Sequence, residues 1–250
     1  MLQFYNSNPS AVINVNFGQI NRPTVGGSLR LPTVEDKAPS VAERLFAHLK
    51  GQSVSVLIDG ANFHETAKLL DFIIDYASFR DIFTRNSNVR GIHYFTSVSP
   101  AQMAQPCVKR NVIHWMKRNG YIVEEKVSKE IIDSETGERF FKGNVDVELT
   151  ICALTNCIAA DHVVLVSGDG DFAAVTRHLQ RLGKKVTVVS SNRTQPHRLA
   201  DELATAADYV VEMADLRSEI SRHVETAQFR AYHARNRTRG GNHVQSLRVR

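Results

Sequence analysis

Tryptophan occurs once in these 250 residues and cysteine three times, at Cys107, Cys152 and Cys157. The thiols are odd in number and form no C-x-x-C pair; Cys152 and Cys157 stand five apart, off the same-face spacing of a helix. They read as small buried residues of a chain kept in a reducing cytoplasm. No run of about 18 apolar residues occurs, so a membrane span is not expected. The start, Met1 to Asn6, lacks a basic stretch and an apolar core, so it does not read as a signal peptide. His64, His178 and His197 have no histidine or cysteine partners at zinc spacing, and no G-x-S-x-G elbow or Ser-His-Asp order is present. These absences remove membrane, zinc and serine-hydrolase readings.

What is present is a globular composition with an uneven charge. Apolar residues make up 42% of the chain, enough for one ordinary domain with appendages. The net charge is +5. From Arg217 to Arg250 there are eight arginines, no lysine and two acids, leaving 23 basic and 24 acidic side chains before that point. A near-neutral body with an arginine tail suggests an anionic partner, most simply nucleic acid. A merely solvating tail is the plainer alternative.

Residues 1–50 read as a flexible Asn/Ser/Gly/Pro-rich segment ending in a short helix, Val41 to Lys50, with Ser40 and Glu43 as a capping box. Strand and helix patterns then alternate. Strands are expected at 53–58, 89–96, 121–127, 162–167, 185–190 and 209–212. Helices are expected within 62–84 and at 101–119, 145–159, 171–182 and 196–206, with a hairpin at 131–141. This alternation predicts an α/β fold: a doubly wound, Rossmann-like sandwich around a mainly parallel sheet of about five strands. The domain spans 51–212, and 213–250 is expected to be helical and then a disordered tail.

Two strands end in acids. Val54 to Ile58 runs into Asp59-Gly60-Ala61-Asn62, and Val163 to Val166 runs into Ser167-Gly168-Asp169-Gly170-Asp171-Phe172. In open α/β sheets the ligand site lies outside the carboxyl ends of the strands, where strand order reverses. A third acid, Asp146, falls in the first turn of the helix expected at 145–159 and projects toward the same end. Asp59, Asp146, Asp169 and Asp171 gathered there would repel one another, and a bound hard cation, Mg²⁺ or Mn²⁺, removes that repulsion. Each aspartate alone is also an ordinary turn or helix-cap residue. Gly168 to Ala173 fits a dinucleotide-binding G-x-G-x-x-A as well. Two carboxylates inside such a loop would face the pyrophosphate, and the next strand ends without an acid for the ribose.

Taken together, "IDGAN" (Ile58 to Asn62), "KGNVDVEL" (Lys142 to Leu149) and "SGDGDF" (Ser167 to Phe172) resemble the signature of NYN domains, the LabA-like branch of the PIN-like nuclease superfamily. The resemblance covers about residues 51–212. One departure is Asn144, which stands where the family usually reads Lys-Gly-Val-Asp without it. The resemblance implies a three-layer PIN-like sandwich, Mg²⁺ or Mn²⁺ dependence and ribonuclease activity on RNA, taken here as single-stranded. By position, Asp59, Asp146, Asp169 and Asp171 would be the metal-site acids and Asn62 a supporting polar group. Ser167 would orient a carboxylate or phosphate, and Lys142 would contact a phosphate as a point charge. Arg193, Arg198, Lys109 and Arg110 are candidates for tracking the nucleic-acid backbone, Arg193 foremost. A homodimer is carried as the expected self-association. The alternatives are an NYN-fold binder of RNA or protein with little catalysis, and a metal-dependent phosphatase acting on small substrates.

Overall fold

A computed structural model describes residues 38–132 and 139–222, with the strand residues 132 and 139–142 described as backbone. The arginine-rich tail beyond 222, the segment before 38, the hairpin turn and the Lys142 side chain lie outside the described residues.

Six strands form one all-parallel sheet in the order β3-β2-β1-β6-β7-β8. They are β1 (Ser53–Asp59), β2 (Asn88–Val98), β3 (Ile122–Val127), β6 (His162–Val166), β7 (Lys185–Ser190) and β8 (Tyr209–Glu212). The sheet expected to have about five strands has six, with the strand expected at 209–212 paired to β7 at one edge. Every residue of β1 and β6 is buried, the near-continuous apolar run that a strand covered on both faces needs. On one face Val54, Val56, Ile58, Val164 and Val166 pack under Phe63, Phe79 and Phe83. These aromatics come from α2 (Gly60–Leu69) and α3 (Tyr76–Asn86). On the other face Leu57, Val163, Leu165, Val186 and Val188 pack under Leu149, Phe172, Leu179 and Leu203. That layer uses α6 (Asp146–Thr155), α7 (Ala173–Arg181) and α8 (Asp201–Ala206). The result is a three-layer, Rossmann-like sandwich.

Two of the expected helices differ from those observed. The helix expected at 101–119 is two, α4 (Pro100–Ala104) and α5 (Val108–Arg118). Gln105, just before Pro106, is extended at φ −134°, as a residue preceding proline prefers. The helix expected from 196 starts only at Asp201. Residues 191–200 instead fold back as a loop in which Ser191 O accepts from the N–H groups of Arg198 and Leu199 at 3.1 and 3.2 Å. The Ser40–Glu43 capping box forms over α1 (Val41–Leu45). A small antiparallel hairpin, β4 (Lys129–Ile132) with β5 (Arg139–Lys142), sits apart from the main sheet.

The two close cysteines escape the helical spacing argument because α6 ends at Thr155. The chain then turns, with Cys157 N donating to Cys152 O at 3.1 Å. Both thiols are buried, and Cys152 Sγ lies 3.4 Å from His93 Nδ1 on β2. The hydrogen bond to Cys157, reinforced by burial, raises the Cys152 thiol well above its ordinary pKa. His93, Cys152 and Cys157 offer ligand atoms within 4.8 Å of one another. The rejection of zinc spacing had weighed other histidines. His93 could not be joined to them in sequence, since the pairing depends on α6 packing over β2.

At the amino end of the sheet, His162 is 1% exposed, with Nε2 2.8 Å from Thr187 Oγ1 and Nδ1 3.3 Å from Gln52 Oε1. His48 shares the same Thr187 hydroxyl and stacks on Tyr209. Burial, with His48 adding to it, pulls the His162 pKa down to about 4. A histidine that resists protonation only when folded contributes stability above its free pKa of about 6.5 and loses it as pH falls toward 4. The expected loss is roughly 2 kcal/mol after allowing for solvent screening. Urea unfolding at pH 7 and pH 4 should show His162→Gln losing less stability over that interval than the wild type. Equal losses in the two proteins would contradict the assignment.

Candidate active site

From β1 the chain steps outward through β2 to β3, then returns to the far side of β1 as β6 and steps outward again to β8. Strand order therefore reverses between β1 and β6, where crevices open at the carboxyl ends of open sheets. Both acid-bearing turns leave the sheet there.

Asp59 is the last residue of β1 and the cap of α2. Its Oδ1 accepts from Ala61 N and Asn62 N, both at 3.1 Å, and the Ser167 hydroxyl donates to its Oδ2 at 3.3 Å. Asn62 Oδ1 in turn accepts from Gly168 N at 3.1 Å, and Ser167 Oγ accepts from Asp169 N at 3.3 Å. The turn after β1 and the turn after β6 are thus laced together by side chains. Glycine is required in both. A Cβ on Gly60 would lie 2.5 Å from Tyr94 Cζ, and one on Gly168 would lie 1.8 Å from the Arg198 carbonyl oxygen.

Asp146 opens α6, where Asn144 Oδ1 accepts from the Asp146 N–H at 2.7 Å. Asn144, the residue by which the motif departs from its usual form, therefore satisfies a donor at the start of the helix. Asp169 Oδ1 accepts from Asp171 N at 3.0 Å. Asp146, Asp169 and Asp171 each offer a carboxylate oxygen within 4.8 Å of the other two. Asp59 stands outside this triplet, buried and hydrogen-bonded through both carboxylate oxygens, although the Asp146 charge reaches it. Sequence reasoning pooled all four; the structure brings three to common ligand distance, and Asp59 is not among them.

The electrostatics are unbalanced. Burial raises the pKa of Asp59 more than its hydrogen bonds lower it, and the Asp146 charge raises it further. Burial also raises that of Asp146; the Asn144 contact offsets part of this, and the charges of Asp169, Asp171 and Glu148 add to the rise. Three carboxylate oxygens at this separation, half-buried to exposed and without an arginine or lysine bridging them among the described residues, fit a hard divalent cation.

The basic candidates fare differently. Arg193 is held bidentately by Asp215 at 2.5 and 3.3 Å. Arg110 is bound to Glu125, and Lys109 donates to the Ser97 carbonyl. Among the described residues Arg198 has no such partner.

The NYN domain family model matches residues 53–215. The chain is 36% identical over 104 residues to the low amplitude and bright protein LabA of Synechococcus elongatus, an overlap of 41% of this chain and 54% of LabA. It thus spans about half the length of that relative. A crystal structure of a protein of unknown function from Vibrio parahaemolyticus superposes with a TM-score of 0.53 at 27% identity, over 65% of this chain and 93% of that one. Among the described residues no helix is long and apolar enough to cross a membrane.

Proposed function

The chain belongs to the NYN domain family, whose fold is nuclease-like, and from that premise we propose that it is a cytoplasmic, divalent-metal-dependent ribonuclease acting on single-stranded RNA. The convergence of Asp146, Asp169 and Asp171 at the β1/β6 reversal carries this reading. A protein that only bound a polyanion would gain nothing from clustered carboxylates. Asp146, Asp169 and Asp171 would hold Mg²⁺ or Mn²⁺, which when bound supplies Lewis-acid stabilisation of phosphoryl charge and a more acidic water.

The remaining roles fall to the protein's own groups. Asp59, whose proton affinity is raised by burial, would take a proton from the attacking water. Two backbone N–H groups and the Ser167 hydroxyl fix its rotamer. Asn62 is a positioning residue: by accepting from Gly168 N it sets the Asp169 turn against α2. Lys142 would act on a phosphate from the end of the hairpin.

The direct test is cleavage of end-labelled single-stranded RNA with Mg²⁺, with Mn²⁺ and with EDTA. Metal-dependent cleavage is expected. RNA bound tightly but uncut with either metal would favour the binding-protein alternative instead.

A second expectation concerns metal linkage. A ligand at 100 times its Kd stabilises the native state by about 2.7 kcal/mol, so Mn²⁺ should raise the melting temperature of the wild type. Asp146→Ala should lose most of that gain. An equal gain in both proteins would put the ion elsewhere.

A further inference from the structure

Arg198 sits in the loop that closes over the Gly168–Asp169 turn. Ala200 N donates to Gly168 O at 2.9 Å, and the Arg198 backbone lies so close to Gly168 that no side chain fits between them. The Arg198 main chain is therefore anchored against Gly168, the residue that precedes Asp169. The Arg198 Nε is buried and has no acceptor among the described residues. The same loop carries two further unpartnered hydroxyls, those of Ser190 and Thr194, each on a residue 2% exposed. The Ser190 hydroxyl lies 2.5 Å from the point where a Gly168 Cβ would be, so it borders the same turn.

An unmet buried donor is costly, more so when charged, and native proteins seldom leave one without a reason. The neighbouring basic residues show how the fold usually deals with cations here: Arg193, Arg110 and Lys109 each have a carboxylate or carbonyl. Among the described residues, Arg198 alone of the four makes no such bond, and its Nε is left unmet. The donor set of a guanidinium suits a phosphate, which accepts two parallel N–H bonds from it and draws strength from the charge.

We propose that the Ser190–Arg198 loop is a phosphate-binding subsite, in which Arg198 grips a backbone phosphate of the RNA beside the one presented to the acids. The assignment rests on the ribonuclease reading for the identity of its ligand. It makes Arg198, rather than the Asp215-bound Arg193, the substrate anchor nearest the acids.

The test uses the full chain, with Arg198→Gln and Arg198→Lys, and a fluorescent single-stranded RNA of about ten nucleotides. Binding is measured in EDTA across a salt series, and cleavage is measured with Mn²⁺. Arg198→Gln should raise KM about tenfold or more with a smaller fall in kcat. It should also reduce the log–log salt slope of binding by about 0.7, the value for one lost phosphate contact on a single strand. Arg198→Lys keeps the aliphatic stem and the charge but not the paired donors, so it should recover part of the KM and most of the slope. If the wild type cuts RNA and Arg198→Gln matches it in KM and slope, the subsite is wrong and the ribonuclease reading stands. If the wild type cuts no RNA yet Arg198→Gln still loses affinity and slope, the ribonuclease reading is wrong and the subsite stands.

Discussion

Asp59→Asn should abolish RNA cleavage and at the same time raise the melting temperature of the metal-free protein. The loss of activity should exceed the roughly 10–100-fold that removing an outer partner of a metal site costs, since Asp59 is the group proposed to take the proton. The gain in stability follows from its surroundings. Asp59 is buried, and burial holds its carboxyl above the ordinary carboxylate range. A carboxyl raised in this way favours the folded state in acid and opposes it once ionised, so its penalty grows as pH rises through the raised pKa. Asparagine removes the charge yet keeps an oxygen for Ala61 N and Asn62 N, and Ser167 can reverse its hydroxyl to accept from the new amide. The gain in EDTA should therefore be present at pH 7 and shrink toward pH 4. A variant that still cleaves RNA, or one that is less stable at neutral pH, would contradict this picture.

Gly168→Ala should be the most destabilising single-methyl change in the site. Its Cβ would fall 1.8 Å from the Arg198 oxygen, 2.5 Å from Ser190 Oγ and 2.6 Å from the Arg198 carbonyl carbon. Two of those three atoms are backbone, so no rotamer change relieves the clash. The 191–200 loop must lift off, breaking the Ala200-to-Gly168 bond and displacing Gly168 from Asn62. A cost at the upper end of overpacking, about 3 kcal/mol, lowers the melting temperature of a domain of this size by roughly 6–12 °C. Gly170→Ala is the control: its Cβ would meet only Ala200 Cβ at 3.3 Å. Calorimetry showing the two variants equally stable would overturn the argument.

The sheet and the acids were legible for one physical reason. Parallel strands send all their following turns to one edge, so acids at the ends of Val54–Ile58 and Val163–Val166 had to share that edge. The boundaries of β7 and β8 were read correctly from their β-branched and turn residues. Which acids come together was not legible, because it depends on which carboxylate is captured by local N–H groups. Asp59 is captured by Ala61 and Asn62, while Asp146 is left facing Asp169 and Asp171. Arg193 and Arg198 look alike in sequence; only the fold brings Asp215 to one and, among the described residues, leaves the Nε of the other unmet. The break at Pro106 was visible, but helical periodicity on either side of it masked the proline.

The pairing of β1 with β6 also has a consequence in time. Asp59 and Ser167 are 108 residues apart, and β1 keeps one unpaired edge until β6 has been made. At a synthesis rate of about 5–20 residues per second that interval is roughly 5–20 s. A growing chain that has reached the end of α6 already contains Asp59 and Asp146, but no Asp169 turn and no partner for that side of β1. The cluster of Asp146, Asp169 and Asp171 therefore forms only after the Asp169 turn has been made and β6 has paired with β1.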